Sequence, residues 1–337
     1  MPGPSAKHGP LWSKLMKLSG KSEAPSVSRG RNPSEAAFRG AKGDKVSVVI
    51  TVFNEQDSLQ LLLDALSRQT LKPFEIIIVD GGSTDDTWAI LQKNKTIRSY
   101  KKPGNRSVGR NFGVSRSISP IIAFTDAGCI PDPTWLAEIV KPFSSQSTQV
   151  VSGYYRGLPQ NTFQACLVLY VLVPPDKAVK TEFFPSTRSM ALRKSVWLKH
   201  KFDESLWHNE DYAYAHTLKK SGFNFIFAPK AMVSWIPRKN LKQAAWMFTR
   251  FAIGDIQAGI LRPQVKILAI RYLAFIYLFF LTPYVLVLVP VYLVWSILKN
   301  YKYVRDPRAI FWLPVLQITA DLSVLFGSLV GLISKTV

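Results

Sequence analysis

Apolar and polar positions alternate along the chain in blocks, and the blocks change period. Val46 to Val52 is a short run rich in β-branched residues, the pattern of a strand buried on both faces. Asn54, Glu55, Gln56, Asp57 and Ser58 then offer helix caps, and "LQLLLDALSRQT" places leucines at helical spacing until Lys72-Pro73 breaks it. Phe74 to Asp80 (FEIIIVD) is a second buried strand, and "GGSTDDT" turns into a helix from Trp88. "RSVGRNFGVSRS" predicts a helix before a further strand, "IIAFTD". Strand and helix alternate, which predicts an α/β fold with a mainly parallel sheet flanked by helices. Beyond Trp135 the pattern is mixed. It predicts a strand in "VVSGYYRG", a short strand then a helix in "PSTRSMALRKSVWLKH", and a helix from Asn209 or Glu210 to Gly222. Late strands in "FNFIFAPKAMVSW" and an amphipathic helix in "KNLKQAAWMFTRFAIGDIQAGIL" follow.

The period disappears toward the C-terminus. Tyr272 to Leu298 carries no charge, and Ala309 to Ser334 carries only Asp321. A bilayer core takes about 20 apolar residues, so both stretches are expected to be membrane helices. Two full spans would put Lys299, Lys302, Arg305 and Arg308 opposite the preceding domain, against the positive-inside tendency. Pro283 and Pro290 offer the alternative of a re-entrant hairpin. The expected organisation is a basic, disordered tail at 1–44, a catalytic domain at 45–237, an amphipathic interface region at 238–266, and membrane-embedded helices at 267–337.

Net charge is +21, from 43 Lys plus Arg against 22 Asp plus Glu. Arg238, Lys239, Lys242, Arg250, Arg262, Lys266 and Arg271 precede the first apolar stretch, a position suited to lipid headgroups. No nucleic-acid motif accompanies the charge, so membrane lipids rather than nucleic acid are the expected partners. Cys129 and Cys166 form neither a metal spacing nor a disulfide framework. "LWSKLMKL" (Leu11–Leu18) is too short and too charged for a signal-peptide core.

Three predicted strands end on polar groups: Thr51 to Glu55, Asp80 to Ser83, and Asp126 to Gly128. Ligands of open α/β sheets bind outside the carboxyl ends of strands. Any one of these aspartates reads equally well as a helix cap; their repetition points to a shared ligand rim.

In order, "VSVVITVFNE", "IIIVDGGSTDDT", "VGRNFGVSRS", "FTDAGCIPDPTWL", "STRSMALRKSVW" and "FDESLWHNEDYAYAHTLKKSGF" resemble the family 2 glycosyltransferases over about residues 45 to 235. The resemblance implies the nucleotide-sugar-binding GT-A fold, with a Rossmann-like nucleotide-binding half, here followed by C-terminal hydrophobic helices. It implies that Thr51, Phe53, Glu55, Asp80 and Ser83 bind the nucleotide, with Thr51 standing where a Pro is common. It sets Arg110 near the donor diphosphate, where a guanidinium fork suits phosphate oxygens. The family's acidic pair reads Asp126-Ala127-Gly128. Asp126 therefore stands alone as the implied carboxylate for nucleotide and divalent metal (Mg²⁺ or Mn²⁺), and Arg110 and other cations are expected to carry more of the phosphate charge. In "HNEDY" the resemblance implies a general base at Asp211, with Glu210 as alternate; an acidic helix cap is the competing account, and His208 is a further candidate. "QAAWMFTRFAIGD" is similar to a region where processive synthases meet the acceptor, which implies acceptor-side roles for Gln243 and Trp246. The aromatic residues Trp246, Phe248 and Phe251 alternatively read as a membrane-facing stripe.

The expected function is a membrane-anchored inverting glycosyltransferase, with its catalytic domain facing the cytoplasm. It would move a sugar, of hexosyl type, from a nucleotide-diphosphate donor to a lipid-linked or glycan acceptor hydroxyl, in polysaccharide or glycolipid biosynthesis. The competing classes are a nucleotidyltransferase of similar fold, whose Gly-rich basic signature "VSVVITVFNE" lacks, and a non-catalytic membrane-tethered nucleotide-binding protein.

Overall fold

The computed structural model describes residues 45–178 and 183–335. The expected tail at 1–44, with its Leu11–Leu18 stretch, lies outside the described residues. The first half runs β1 (Val46–Val52), α1 (Leu59–Ser67), β2 (Glu75–Asp80), α2 (Thr87–Lys93), β3 (Arg98–Lys101), α3 (Arg106–Arg116) and β4 (Ile121–Phe124). Then come β5 (Cys129–Pro131), α4 (Trp135–Val140), β6 (Val150–Gly157), α5 (Thr162–Val171), α6 (Pro175–Ala178), β7 (Met190–Arg193), α7 (Lys194–Lys199), α8 (Glu210–Lys220) and β8 (Phe225–Trp235). The last helices are α9 (Leu241–Gln257), α10 (Pro263–Leu281), α11 (Leu288–Val304) and α12 (Ala309–Lys335).

One sheet has the order β3-β2-β1-β4-β7-β6-β8-β5. Strands β3, β2, β1 and β4 pair in parallel, as alternation of strand and helix predicts. The β4–β7, β7–β6 and β8–β5 pairs are antiparallel, while β6 and β8 are parallel. The early strands are buried on both sides. Val48 and Ile50 join the core beneath α1 and α4, and Val49, Ile77 and Val79 join that beneath α3 and α8. Helix α3 lies close on β1 because Gly109 and Gly113 face it: a Cβ there would stand 2.7 Å from Thr51 Cγ2 and 2.6 Å from Val49 Cγ1. That approach sets Arg110 directly above the sheet's carboxyl edge.

The C-terminal region departs from the expectation of two apolar helices. Three helices are long and apolar enough to cross a membrane: Pro263–Leu281, Pro283–Val304 and Ala309–Ser334. The stretch from Tyr272 to Leu298, expected as one span or as a hairpin broken at Pro283 or Pro290, breaks at Thr282-Pro283, where proline has no N–H to continue the helix. The chain reverses there. Consequently Lys299, Lys302, Arg305 and Arg308 return to the catalytic domain: Thr162 Oγ1 donates to Asp306 Oδ2 at 2.7 Å and Tyr303 Oη to Asp176 Oδ2 at 3.0 Å.

Candidate active site

The carboxyl ends of β1, β2 and β4 form one edge, and a buried ion-pair cluster stands over it. Arg110, in the second turn of α3, donates to Glu210 Oε1 at 2.6 Å and to Asp126 Oδ1 at 3.2 Å. Thr187 Oγ1 donates to the same Asp126 oxygen at 3.2 Å. Burial works against the charge of Arg110, but Glu210, Asp126 and Asp211 outweigh it and raise its pKa. The guanidinium is also held 5.6 Å from the Phe202 ring centre. Asn111, next on α3, ties the 202–204 loop to the helix: its amide donates to the Phe202 carbonyl and to Glu204 Oε1.

Asp211 occupies the first turn of α8 beside this cluster. Its Oδ2 accepts from Ser186 Oγ at 2.6 Å and its Oδ1 from the Tyr212 N–H. Burial pushes its pKa up, but the charges of Arg188 and Arg110 and these hydrogen bonds prevail and hold it below the ordinary aspartate value. The Arg188 guanidinium is seated against Tyr155 and Trp235, 5.4 and 5.7 Å from their ring centres. The two adjacent acids therefore differ. Glu210 is buried and paired with Arg110, whereas Asp211 is half-buried and held only by hydrogen bonds and by charges at longer range. Its neighbour His208 has its pKa lowered by burial and by Arg250, whose Nε lies 3.4 Å from Nε2.

The nucleotide-side residues form a braced rim. Asp80 is fully buried; its Oδ1 accepts from the Gly82 and Ser83 N–H groups, and its Oδ2 is buried without a partner among the described residues. Ser83 Oγ accepts from the Asn54 N–H at 2.9 Å, and Asn54 Oδ1 from the Thr84 N–H. Asn54 holds φ +54°, a left-handed conformation that an Asn tolerates. The Glu55 N–H donates to Thr87 Oγ1, and its carboxylate accepts from Ser58 Oγ at 2.6 Å. Burial raises the Glu55 pKa, with Asp126 adding to it. Thr51 is wedged against α3, and Phe53 is 58% exposed at the end of β1, a free ring beside the rim.

Among the described residues, no three His, Cys, Asp or Glu side chains gather as a metal cage. Asp126 is one carboxylate, already accepting from Arg110 and Thr187, and a Cβ on Gly128 would meet nothing within 4 Å. This fits a single protein ligand to an ion whose other oxygens are phosphate and water. It does not fit a site that holds metal by itself.

The acceptor-side expectations fare differently. Gln243 Oε1 accepts from the Lys239 N–H while its own N–H donates to Asn240 Oδ1, so it caps the start of α9. Trp246 is 57% exposed, and the Arg250 guanidinium lies 5.7 Å from its ring centre. Phe248 is buried in the core and Phe251 packs against it, so the three aromatics form no single outward stripe. Sequence reasoning assigned no role to Ser186, Thr187 and Arg188, although "STR" lies within a motif quoted for the resemblance. It read Arg238 and Arg250 as lipid contacts. Arg238 is exposed and Arg250 half-buried, and desolvation together with the nearby charge of Arg106 lowers the pKa of each. Arg262 and Arg271 are likewise paired, with Asp255 and Asp321.

Residues 47–174 match the family model described as Glycosyl transferase family 2. Glycosyltransferase AglE of Haloferax volcanii is 33% identical over 116 residues, covering 32% of this chain and 38% of that protein. An Escherichia coli protein named UDP-Glc:alpha-D-GlcNAc-diphosphoundecaprenol beta-1,3-glucosyltransferase WfaP is 30% identical over 142 residues, covering 36% of this chain and 55% of its own length. The chain thus spans less than two thirds of either curated relative. Among solved structures, glucosyl-3-phosphoglycerate synthase from Mycobacterium tuberculosis in complex with phosphoglyceric acid aligns with a TM-score of 0.49 at 19% identity, over 70% of this chain and 88% of that one.

Proposed function

We propose that the protein is an inverting, membrane-associated glycosyltransferase that moves a sugar from a nucleoside-diphosphate donor to a lipid-linked acceptor hydroxyl. The observation that carries this reading is the pair of unlike acids at the start of α8: Glu210 locked to Arg110, and Asp211 left half-open beside it. The braced rim of Asp80, Ser83 and Glu55 is the nucleotide side. The buried Asp80 Oδ2, which has no partner among the described residues, supports it, since a buried oxygen without a donor is costly unless a ligand supplies one. Phe53 supplies a ring face for the base, and Thr51 shapes the floor.

The donor's diphosphate falls to the cations over the edge: Arg110 and Arg188, with Arg106, Arg238 and Arg250 around them. A divalent ion bound through Asp126 and the diphosphate would add further charge neutralisation there. In the transfer, the acceptor oxygen attacks the anomeric carbon from the face opposite the leaving group, and the bond from that carbon to the phosphate oxygen breaks. The nucleoside diphosphate leaves with the electron pair, and the acceptor proton passes to Asp211. General base catalysis of this kind is worth roughly 10²–10⁴-fold. Ser186 orients the carboxylate by its hydrogen bond. The arginines that hold down the Asp211 pKa are those a diphosphate would neutralise, so donor binding would raise the basicity of Asp211 just before it is needed.

A lipid-linked acceptor is supported by the three long apolar helices. A cytoplasmic orientation is supported by Lys299, Lys302, Arg305 and Arg308 on the catalytic side. Incubation of the detergent-solubilised protein with labelled nucleotide sugars and polyprenyl-linked or free glycan acceptors tests the reading. Transfer to a lipid-linked acceptor with release of nucleoside diphosphate is expected. Nucleotide binding without transfer to any acceptor would favour the non-catalytic alternative.

A further inference from the structure

Helix α12 is long enough to cross a bilayer, yet it is fastened to the catalytic domain at both ends. Near its start, Tyr170 Oη donates to the Leu313 carbonyl at 2.7 Å, and Ala309, Leu313 and Leu316 are fully buried in the main core. Near its end, Gln257 Nε2 of α9 donates to Ser334 Oγ at 3.2 Å. Between them α9 lies alongside: a Cβ on Gly327 would be 2.4 Å from the Thr249 carbonyl oxygen, and one on Gly331 2.9 Å from Ile256 Cβ. The other side of α9 holds the site, since a Cβ on Gly254 would be 2.1 Å from the His208 carbonyl oxygen. A spanning α12 would drag α9, Arg250 and the catalytic turn to membrane depth, where each charge is expensive.

The opposite face of α12 is apolar and open. Phe311, Leu322, Phe326, Leu329 and Ile333 are all exposed, at helical spacing. From Phe311 to Ile333 this stripe runs about 33 Å at 1.5 Å per residue. The α10–α11 hairpin is clamped to it where Asp321 accepts from Arg271, Tyr272 and Tyr292, and the later turns of α11 pack along α12, with Ile297, Tyr301 and Val304 against the core that holds its start. Beyond that clamp the hairpin is largely exposed, with Leu273, Phe280, Tyr284 and Val291 open to the outside. Its free arm from Arg271 to Leu281 extends only about 15 Å, half of the roughly 30 Å hydrocarbon core.

We propose that helices α10, α11 and α12 do not cross the membrane: α12 lies in the plane of one leaflet on its apolar stripe, and the α10–α11 hairpin dips to the bilayer midplane and returns. The occupant of the exposed face is lipid. Its continuity with an uncharged hairpin argues for acyl chains rather than a protein partner. The inference rests on the membrane association proposed above and adds its geometry, which leaves the whole catalytic domain, both ends of α12 and the basic 299–308 segment on one side.

The test uses the full chain carrying single substitutions Lys302→Cys, Tyr284→Cys or Ser334→Cys, in right-side-out and inside-out membrane vesicles treated with a membrane-impermeant maleimide. The buried Cys129 and Cys166 of the parent supply the blank. The expected result is that positions 302 and 334 label from the same face, and that 284 labels from neither until detergent is added. Labelling of 302 and 334 from opposite faces, or of 284 from the far face, overturns the proposal. As a second reading, fluorophores on Phe311→Cys, Leu322→Cys and Leu329→Cys are quenched by brominated lipids. Equal depth supports an in-plane helix, and depth changing steadily along the series overturns it. Parent protein that fails to sediment with the vesicles refutes the membrane reading itself, a result distinct from either labelling pattern.

Discussion

A carboxylate that takes a proton only in the transition state must be within reach of the acceptor, and Asp211 is the group proposed for that role. Asp211→Asn keeps shape and one hydrogen-bond acceptor but cannot take the proton. A fall in kcat of roughly 10²–10⁴-fold with near-normal donor affinity is expected, read by parallel turnover assays and calorimetric titration with a nucleoside diphosphate. Glu210→Gln should act differently. It removes the carboxylate charge from the Arg110 pair, and breaking a buried pair costs about 3–5 kcal/mol, so its signature is a lowered Tm. A variant pair in which Glu210→Gln abolishes turnover at unchanged Tm while Asp211→Asn stays active would reverse the roles. The acid limb of the pH profile carries a second expectation. The base form of Asp211 exists above its pKa, and Arg188 and Arg110 hold that pKa down in the free protein. The acid limb of kcat/KM for donor should therefore lie below the ordinary aspartate value of about 3.9. With the arginines neutralised by diphosphate, the pKa rises and the limb of kcat should lie at higher pH. Coincident limbs in the two profiles would remove the arginines from the control of the base. Gly128 carries the third expectation. Open space around it admits a carboxylate, so Gly128→Asp should tighten Mn²⁺ binding. Strong nucleotide-free Mn²⁺ binding by the parent would instead point to ligands other than Asp126.

At the scale of elements, the turn before α8 is held by its neighbours. Asn209 adopts a left-handed φ of +56°, its amide donates to Asp255 of α9, and Gly254 lets α9 approach the His208 carbonyl. Gly254→Ala should push this turn away and cost about 1–3 kcal/mol, with a loss of turnover larger than any loss of nucleotide affinity. Gly128→Ala, which meets open space, is the control. Equal behaviour of the two variants would mean that the turn is not held by α9. The same contrast marks what the chain's pattern made legible. Strands β1, β2 and β4, their polar ends, and the acidic pair at α8 were readable because period and punctuation are local. Arg110 was assigned to phosphate, but its pairing with Glu210 joins residues 100 positions apart, which no local pattern encodes. Gln243 carried a signature that a helix cap and an acceptor contact share; its cap hydrogen bonds to the Lys239 N–H and Asn240 Oδ1 are formed. The break at Thr282 was legible as one of two candidate prolines, Pro283 and Pro290, but the apolar run on either side gave no local signal to choose between a hairpin and a single span.

For the whole molecule, the decisive quantity is how the exposed apolar surface is covered. Leu322, Phe326 and Leu329 contribute nothing visible to the catalytic core, yet burying each such side chain is worth about 1.5–3 kcal/mol. Replacing Leu322 and Phe326 together by Asp removes two of these contributions and adds two charges on the lipid side. Binding to vesicles of anionic and neutral phospholipid should weaken at least tenfold, since 1.4 kcal/mol already accounts for a factor of ten in affinity. Donor affinity in detergent should stay as in the parent, because the substituted face points away from α9 and the site. Transfer to an acceptor embedded in vesicles should then fall, while transfer to a detergent-dispersed acceptor persists. Paired vesicle flotation and transfer assays read both effects. Unchanged vesicle binding would mean that the α10–α11 hairpin alone carries the attachment. Loss of transfer in detergent as well would mean that α12 acts on the site through α9 rather than through the bilayer.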